Sequence, residues 1–112
     1  MRIDLSRIPR DRPCAIHMPT LMHGMVFLDE MKKHYPNAVK TWPDERYMAK
    51  RFESGDVYYY PRLHDSLPYM THGSKETYIE LGVALLPFDA IMLPDIELDT
   101  TLGDMPIESL FG

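Results

Sequence analysis

Residues 43–61 read PDERYMAKRFESGDVYYYP, and this stretch passes from a helical pattern to a strand pattern. Pro43 is typical of the first turn of a helix, and Gly55 is typical of the position just past a helix end. The run from Val57 to Tyr60 is rich in the residue types that favour strands, and Pro61 is expected to stop it. The stretch therefore predicts a helix followed by a strand.

The helix in this stretch is expected to start at Pro43, with Thr41 or Trp42 as its cap. Asp44 and Glu45 then lie in its first turn, where negative charge is favoured by the helix dipole. Its buried side is predicted to consist of Tyr47, Met48 and Phe52.

A longer helix is predicted upstream, over residues 20–36. The Thr20 hydroxyl can cap it, and Pro36 is expected to end it. Gly24 is a mild defect in this helix, with a cost of up to about 1 kcal/mol relative to alanine. The apolar stripe recurs at three- and four-residue spacing and consists of Leu21, Met25, Leu28 and Met31, and Phe27 and Tyr35 widen it.

Strands are predicted mainly in the second half of the chain. Residues 61–74 are rich in proline and glycine and are expected to form a loop. Residues 76–86 alternate apolar and other residues with period two, which predicts a strand, although a helix beginning at Lys75 also fits. Further short strands are predicted over residues 90–93 and 96–98 and, more weakly, over 3–5 and 14–17.

These elements predict an α+β fold in which two helices from the N-terminal half pack on a short, mostly antiparallel sheet. At 112 residues the chain is expected to form one domain, residues 1–112. Residues 1–19, which are punctuated by proline, are considered as an extended N-terminal arm.

Charge is distributed unevenly along the chain. Residues 1–75 contain all 12 Lys and Arg residues and 9 of the 17 acidic residues, a net charge of +3. Residues 76–112 contain the other 8 acidic residues and no Lys or Arg, a net charge of −8. Because apolar residues alternate with these carboxylates, the segment is predicted to form a structured acidic face and not a disordered tail.

Composition excludes several classes of protein. The net charge of −5 argues against a protein that binds nucleic acid through general basicity, and the single Cys14 excludes an internal disulfide and a Cys-cluster zinc site. No glycine-rich phosphate loop is present. The chain has neither a secretory signal nor an apolar run of membrane-spanning length, so a cytoplasmic location without membrane contact is expected.

The most suggestive acidic feature is the row Asp95, Glu97 and Asp99. In a strand these carboxylates would share one side at a spacing of about 7 Å, and they could face a basic groove on another protein. The residues predicted to bind a partner are Glu80, Asp89, Asp95, Glu97, Asp99 and Tyr59.

The leading hypothesis is a small, non-enzymatic acidic module that binds a basic surface on a protein partner and needs no cofactor. Its most specific form is an inhibitor that occupies the nucleic-acid channel of a nuclease or a related protein. In size and acidity the chain is similar to the anti-restriction and anti-CRISPR proteins of phages, a resemblance that involves no motif. A homodimer is compatible with this hypothesis.

Two alternatives belong to other classes. A small metal-dependent hydrolase could use His64, Asp65 and His72, the only histidine cluster with a carboxylate beside an imidazole. Single-stranded nucleic acid could bind through the basic second helix and the tyrosine run, with Lys50 and Arg51 near phosphates and tyrosines stacked on bases.

Overall fold

A computed structural model describes residues 1–63 and 66–94, and the predicted α+β class is confirmed. Within these ranges the chain forms three α-helices and six strands, together with short 3-10 turns. The elements are β1 (Arg2–Ile3), β2 (Cys14–His17), α1 (Leu21–His34), α2 (Glu45–Phe52), β3 (Tyr58–Arg62), β4 (Tyr69–Gly73), α3 (Lys75–Glu80), β5 (Ala84–Leu86) and β6 (Met92–Leu93).

The main sheet has the strand order β4-β3-β2-β5. β3 is antiparallel to both of its neighbours, whereas β5 runs parallel to β2 with Cys14 opposite Ala84. A second sheet joins β1 to β6 in antiparallel register, with Arg2 opposite Leu93. Most pairings are therefore antiparallel, as the sequence predicts.

Each face of the main sheet carries a hydrophobic core. The larger core lies under α1 and α2 and includes Ile16, Phe27 and Tyr59. The smaller core lies on the opposite face, where Tyr78 of α3 packs with Tyr60. The segment considered as an N-terminal arm contributes buried side chains to the larger core, so it is part of the folded body; these side chains include Ile3, Leu5, Ile8, Ile16 and Met18.

α1 has the predicted ends but a partly different buried side. The Thr20 hydroxyl accepts a hydrogen bond from the His23 backbone N–H at 3.5 Å, and the helix ends at His34, ahead of Pro36. Its fully buried positions are Gly24, Phe27 and Met31, while Met25 is 44% exposed. The predicted place of Met25 in the core stripe is therefore wrong.

Gly24 permits a close approach between α1 and the sheet and is not a defect. A methyl group at this position would lie 2.7 Å from the Tyr59 hydroxyl oxygen and 2.8 Å from the Phe52 ring. Only a residue without a side chain fits this contact, because such distances are far below ordinary van der Waals separation.

α2 begins two residues later than predicted. Its cap is Asp44, whose carboxylate accepts a hydrogen bond from the Tyr47 backbone N–H at 3.0 Å, and not Thr41 or Trp42. Met48 is buried as expected, but Tyr47 is 51% exposed, which corrects its predicted role in the core. Gly55 follows the helix with a positive φ of 72°.

The predicted loop over residues 61–74 is wrong for residues 61–62 and 69–73, which lie in the antiparallel strands β3 and β4. β3 continues through Pro61, which pairs with Met70 of β4, so the predicted stop at Pro61 is wrong. Proline is tolerated in a strand where its missing N–H has no partner to satisfy. Pro61 lies beyond the two residues of β3 that pair with β2, Tyr58 and Tyr59.

Residues 75–86 divide between the two predicted alternatives. The first part is helix α3, capped by the Ser74 hydroxyl, which accepts a hydrogen bond from the Thr77 N–H at 3.3 Å. Gly82, with a positive φ of 74°, follows the helix, and strand β5 comes next. The strand prediction is therefore wrong for residues 76–80 and confirmed for 84–86.

The remaining strand predictions are mostly confirmed. β2 has the predicted bounds, and β1 lies one or two residues ahead of the predicted 3–5. Of the strand predicted over residues 90–93, only β6 is extended, because Phe88–Ile91 forms a 3-10 turn. The strand predicted over residues 96–98 lies outside the described residues.

Candidate protein-binding surface

Two of the predicted partner-binding carboxylates are exposed. Glu80 is the last residue of α3, and Asp89 lies in the 3-10 turn that follows β5. They lie in different elements, on either side of β5 in the sequence. Asp95, Glu97 and Asp99 lie outside the described residues, and the acidic row that they would form stays a prediction.

Tyr59 cannot contact a partner, because its side chain is fully buried. It is surrounded by aromatic rings, with centroid distances of 5.1 Å to Trp42, 6.0 Å to Phe27 and 6.1 Å to Phe52. Burial raises the pKa of its phenol, and the Trp42 side chain beside it partly opposes this shift. The predicted role of Tyr59 at an interface is therefore wrong, and the residue belongs to the core.

The structure shows a surface that the sequence prediction missed. The α3 face consists of the exposed residues Glu76, Ile79, Glu80 and Leu81. Ile79 is 56% exposed and Leu81 is 66% exposed, although both are large aliphatic residues. Glu76, Ile79 and Glu80 share one side of the helix, since they follow three- and four-residue spacing. The feature of the sequence that indicated this surface is the alternative prediction of a helix beginning at Lys75, because such a helix places these residues on one exposed side.

The α3 face is held in a defined position by the opposite side of the helix. Tyr78 is buried against Tyr60, with ring centroids 5.7 Å apart, and its hydroxyl lies 3.0 Å from the Thr71 hydroxyl. The Val83 backbone N–H donates to the Tyr78 carbonyl at 2.9 Å and ties the helix end to β5. A short helix anchored in this way presents its outer side chains on a rigid support.

The histidine cluster of the hydrolase alternative is only partly visible. His64 and Asp65 lie outside the described residues. His72 lies beside aromatic rings, 5.5 Å from Trp42 and 6.0 Å from Tyr47, and burial followed by the charge of Arg51 lowers its pKa. A nearby guanidinium repels a metal ion, and no three His, Cys, Asp or Glu side chains of residues 1–63 and 66–94 are grouped as a metal site requires.

His72 is expected to make stability fall in mild acid. Its pKa in the folded state is below the ordinary value of about 6.5, so the unfolded chain takes up the proton first. Stability is therefore complete above about pH 6.5 and decreases as the pH falls below it. His72→Phe should flatten the decrease in melting temperature between about pH 7 and pH 5. The exposed His34→Gln is the control, and equal slopes for wild type and His72→Phe would contradict the assignment.

The structure separates the two parts of the nucleic-acid alternative. Tyr58 and Tyr60 lie on the α3 side of the main sheet, where Tyr58 contacts the His17 ring at 5.0 Å. α2, which carries Lys50 and Arg51, packs on the other side of the sheet. Arg51 still reaches toward the α3 side, because its charge partly opposes the rise that burial causes in the pKa of Tyr78, so the nucleic-acid alternative stays a prediction.

Within the described ranges, no helix has the length and apolar composition needed to cross a membrane. None of the protein-family models, curated proteins or solved structures compared with this chain matches it.

Proposed function

We propose that this protein is a non-enzymatic interaction module that binds a basic, partly apolar surface of a protein partner through the α3 face. The observation that carries the proposal is the pair Ile79 and Leu81, more than half exposed beside two carboxylates on an anchored helix. Single exposed aliphatic residues are common, but neighbouring ones on a rigid element favour an interface.

The charge of this region indicates the chemistry of the partner. Glu76 and Glu80 lie beside the aliphatic pair, and Lys75, the first residue of α3, is the last Lys or Arg of the sequence. Complementary charge guides association and selects a basic partner, while the aliphatic side chains lose water in the contact. Asp95, Glu97 and Asp99 add to the negative charge of the same segment of the sequence.

The narrowest form of the proposal is an inhibitor of a nuclease or a related nucleic-acid enzyme. The channels of such enzymes are lined with Lys and Arg residues that neutralise phosphates. An acidic protein surface can compete for those cations. The inhibitor hypothesis rests on the negative charge of this surface, so the experiment first identifies the class of protein that binds.

The test is a pull-down in which the wild-type chain and two charge-reversal variants are each immobilised on a resin and incubated with a cell lysate. The variants are Glu76→Lys/Glu80→Lys and Asp95→Lys/Glu97→Lys/Asp99→Lys, and bound proteins are identified by mass spectrometry. We expect at least one basic protein to bind the wild type and to elute as the salt concentration is raised. The same protein should bind Glu76→Lys/Glu80→Lys with an affinity reduced by about tenfold.

A matched control carries the same charge change elsewhere. Asp11→Lys/Glu53→Lys reverses two exposed carboxylates outside α3, and this variant should retain the partner. Ile79→Ser/Leu81→Ser should weaken binding without changing its salt dependence. The proposal is wrong if both acidic variants capture the same proteins as the wild type, or if the control loses them equally.

A further inference from the structure

A groove of about 310 Å³ lies between α1 and α2, on the side of the domain away from α3. One wall is formed by Leu21, Met25 and Leu28 of α1. The other includes Trp42, in the connection between the helices, and Met48 of α2. We call it the Trp42 groove.

The interior of the Trp42 groove favours an apolar ligand. The indole nitrogen of Trp42 and the hydroxyl of Tyr59 are its nearest ring polar atoms, and both are buried within the protein. They are not accessible to a ligand, so these two rings offer it no hydrogen-bonding atom. Met25 and Met48 add flexible, polarisable side chains that adapt to an apolar shape.

The rims of the groove carry carboxylates on both sides. Asp29 lies on the α1 rim and Glu45 on the α2 rim, and neither forms an ion pair in the described part of the chain. The adjacent Glu30, by contrast, binds both Lys33 and His34, at 3.3 and 3.2 Å. Lys32 is the one basic residue that lines the groove, so its net charge is negative.

We propose that the Trp42 groove binds a small ligand with an apolar body and one positive charge, of the arylalkylamine class. The apolar body would occupy the groove between Met25 and Met48, and the ammonium group would lie toward Asp29 and Glu45. The volume is at the lower end of the range for small-molecule sites, which fits a ligand with one ring. This site is independent of the α3 face.

The chain's only tryptophan lines the groove, so its fluorescence reports binding. Phenethylamine and phenylpropionate are the probes, because both carry a phenylethyl group and they differ in the sign of their charge. We expect phenethylamine to shift the Trp42 emission and to bind about fivefold more tightly than phenylpropionate at low salt. Methyl resonances of Met25 and Met48 should move, whereas that of Met22, which does not line the groove, should not.

Surface variants test the charge assignment without disturbing the core. Asp29→Asn/Glu45→Gln should remove the preference for the amine, and Asp11→Asn/Glu53→Gln, with the same change in net charge, should retain it. Equal or tighter binding of phenylpropionate to the wild type would overturn the proposal. So would a lack of any Trp42 response to phenethylamine, or an equal loss of preference in the control.

Discussion

Tyr59→Ala is expected to lower the free energy of unfolding by about 3–5 kcal/mol, the usual cost of removing a large aromatic side chain from a core. Tyr59 is fully buried, and rings from α1, α2 and the connection between them pack around it. Its removal would leave a cavity where three elements meet the sheet. Urea or guanidinium unfolding of wild type and variant measures the difference.

Tyr59→Phe separates the ring from its hydroxyl. The hydroxyl is buried and has no hydrogen-bond partner in the described structure, so its removal is expected to leave stability unchanged or slightly higher. A loss of more than about 1 kcal/mol for Tyr59→Phe would show that the hydroxyl makes a bond of normal strength. A small effect of Tyr59→Ala would contradict the position of this ring in the core.

Gly24→Ala is expected to destabilise the protein by about 1–3 kcal/mol, although alanine is the better helix former by about 1 kcal/mol. The added methyl group would meet the Tyr59 hydroxyl and the Phe52 ring at less than 3 Å. Tyr59 has no room to yield, because its ring is enclosed. Denaturant unfolding of the variant measures the change in the free energy of unfolding. Helix propensity alone predicts that this free energy rises, whereas the observed packing predicts that it falls.

Tyr59→Phe provides a rescue for this variant. In the Gly24→Ala background it removes one of the two obstructing groups, so the double variant should regain part of the lost stability. A stabilised Gly24→Ala variant, or strictly additive effects in the double variant, would contradict the close approach.

The elements that were predicted well are those whose ends are set by local chemistry. Thr20 and Pro36 bound α1 because a hydroxyl cap and a proline act on their own neighbours. The α+β class followed from such signals. The predicted end of the strand at Pro61 is wrong because the effect of a proline depends on which neighbouring strand its missing N–H would face. The order of the strands in the sheet determines this, and the local sequence does not.

Residues 75–86 show a different limit of sequence reasoning. Helical and alternating periods coexist in this stretch, and the choice between them is made by the burial of Tyr78 against Tyr60 from another strand. Tyr59 was assigned to an interface because three adjacent tyrosines do not reveal which face the helices cover. The α3 face and the Trp42 groove depend on these tertiary choices, so neither could be predicted from the sequence.

The parallel pairing of β2 with β5 has a consequence for the order in which the chain can fold. Cys14 pairs with Ala84 and Arg2 pairs with Leu93, so strands β2 and β1 near the start of the chain pair with β5 and β6, which come about 70 to 90 residues later. During synthesis, β2 leaves the ribosome long before its parallel neighbour exists, and one of its edges stays open for that time. Such distant pairing slows folding and leaves an edge that other chains can pair with.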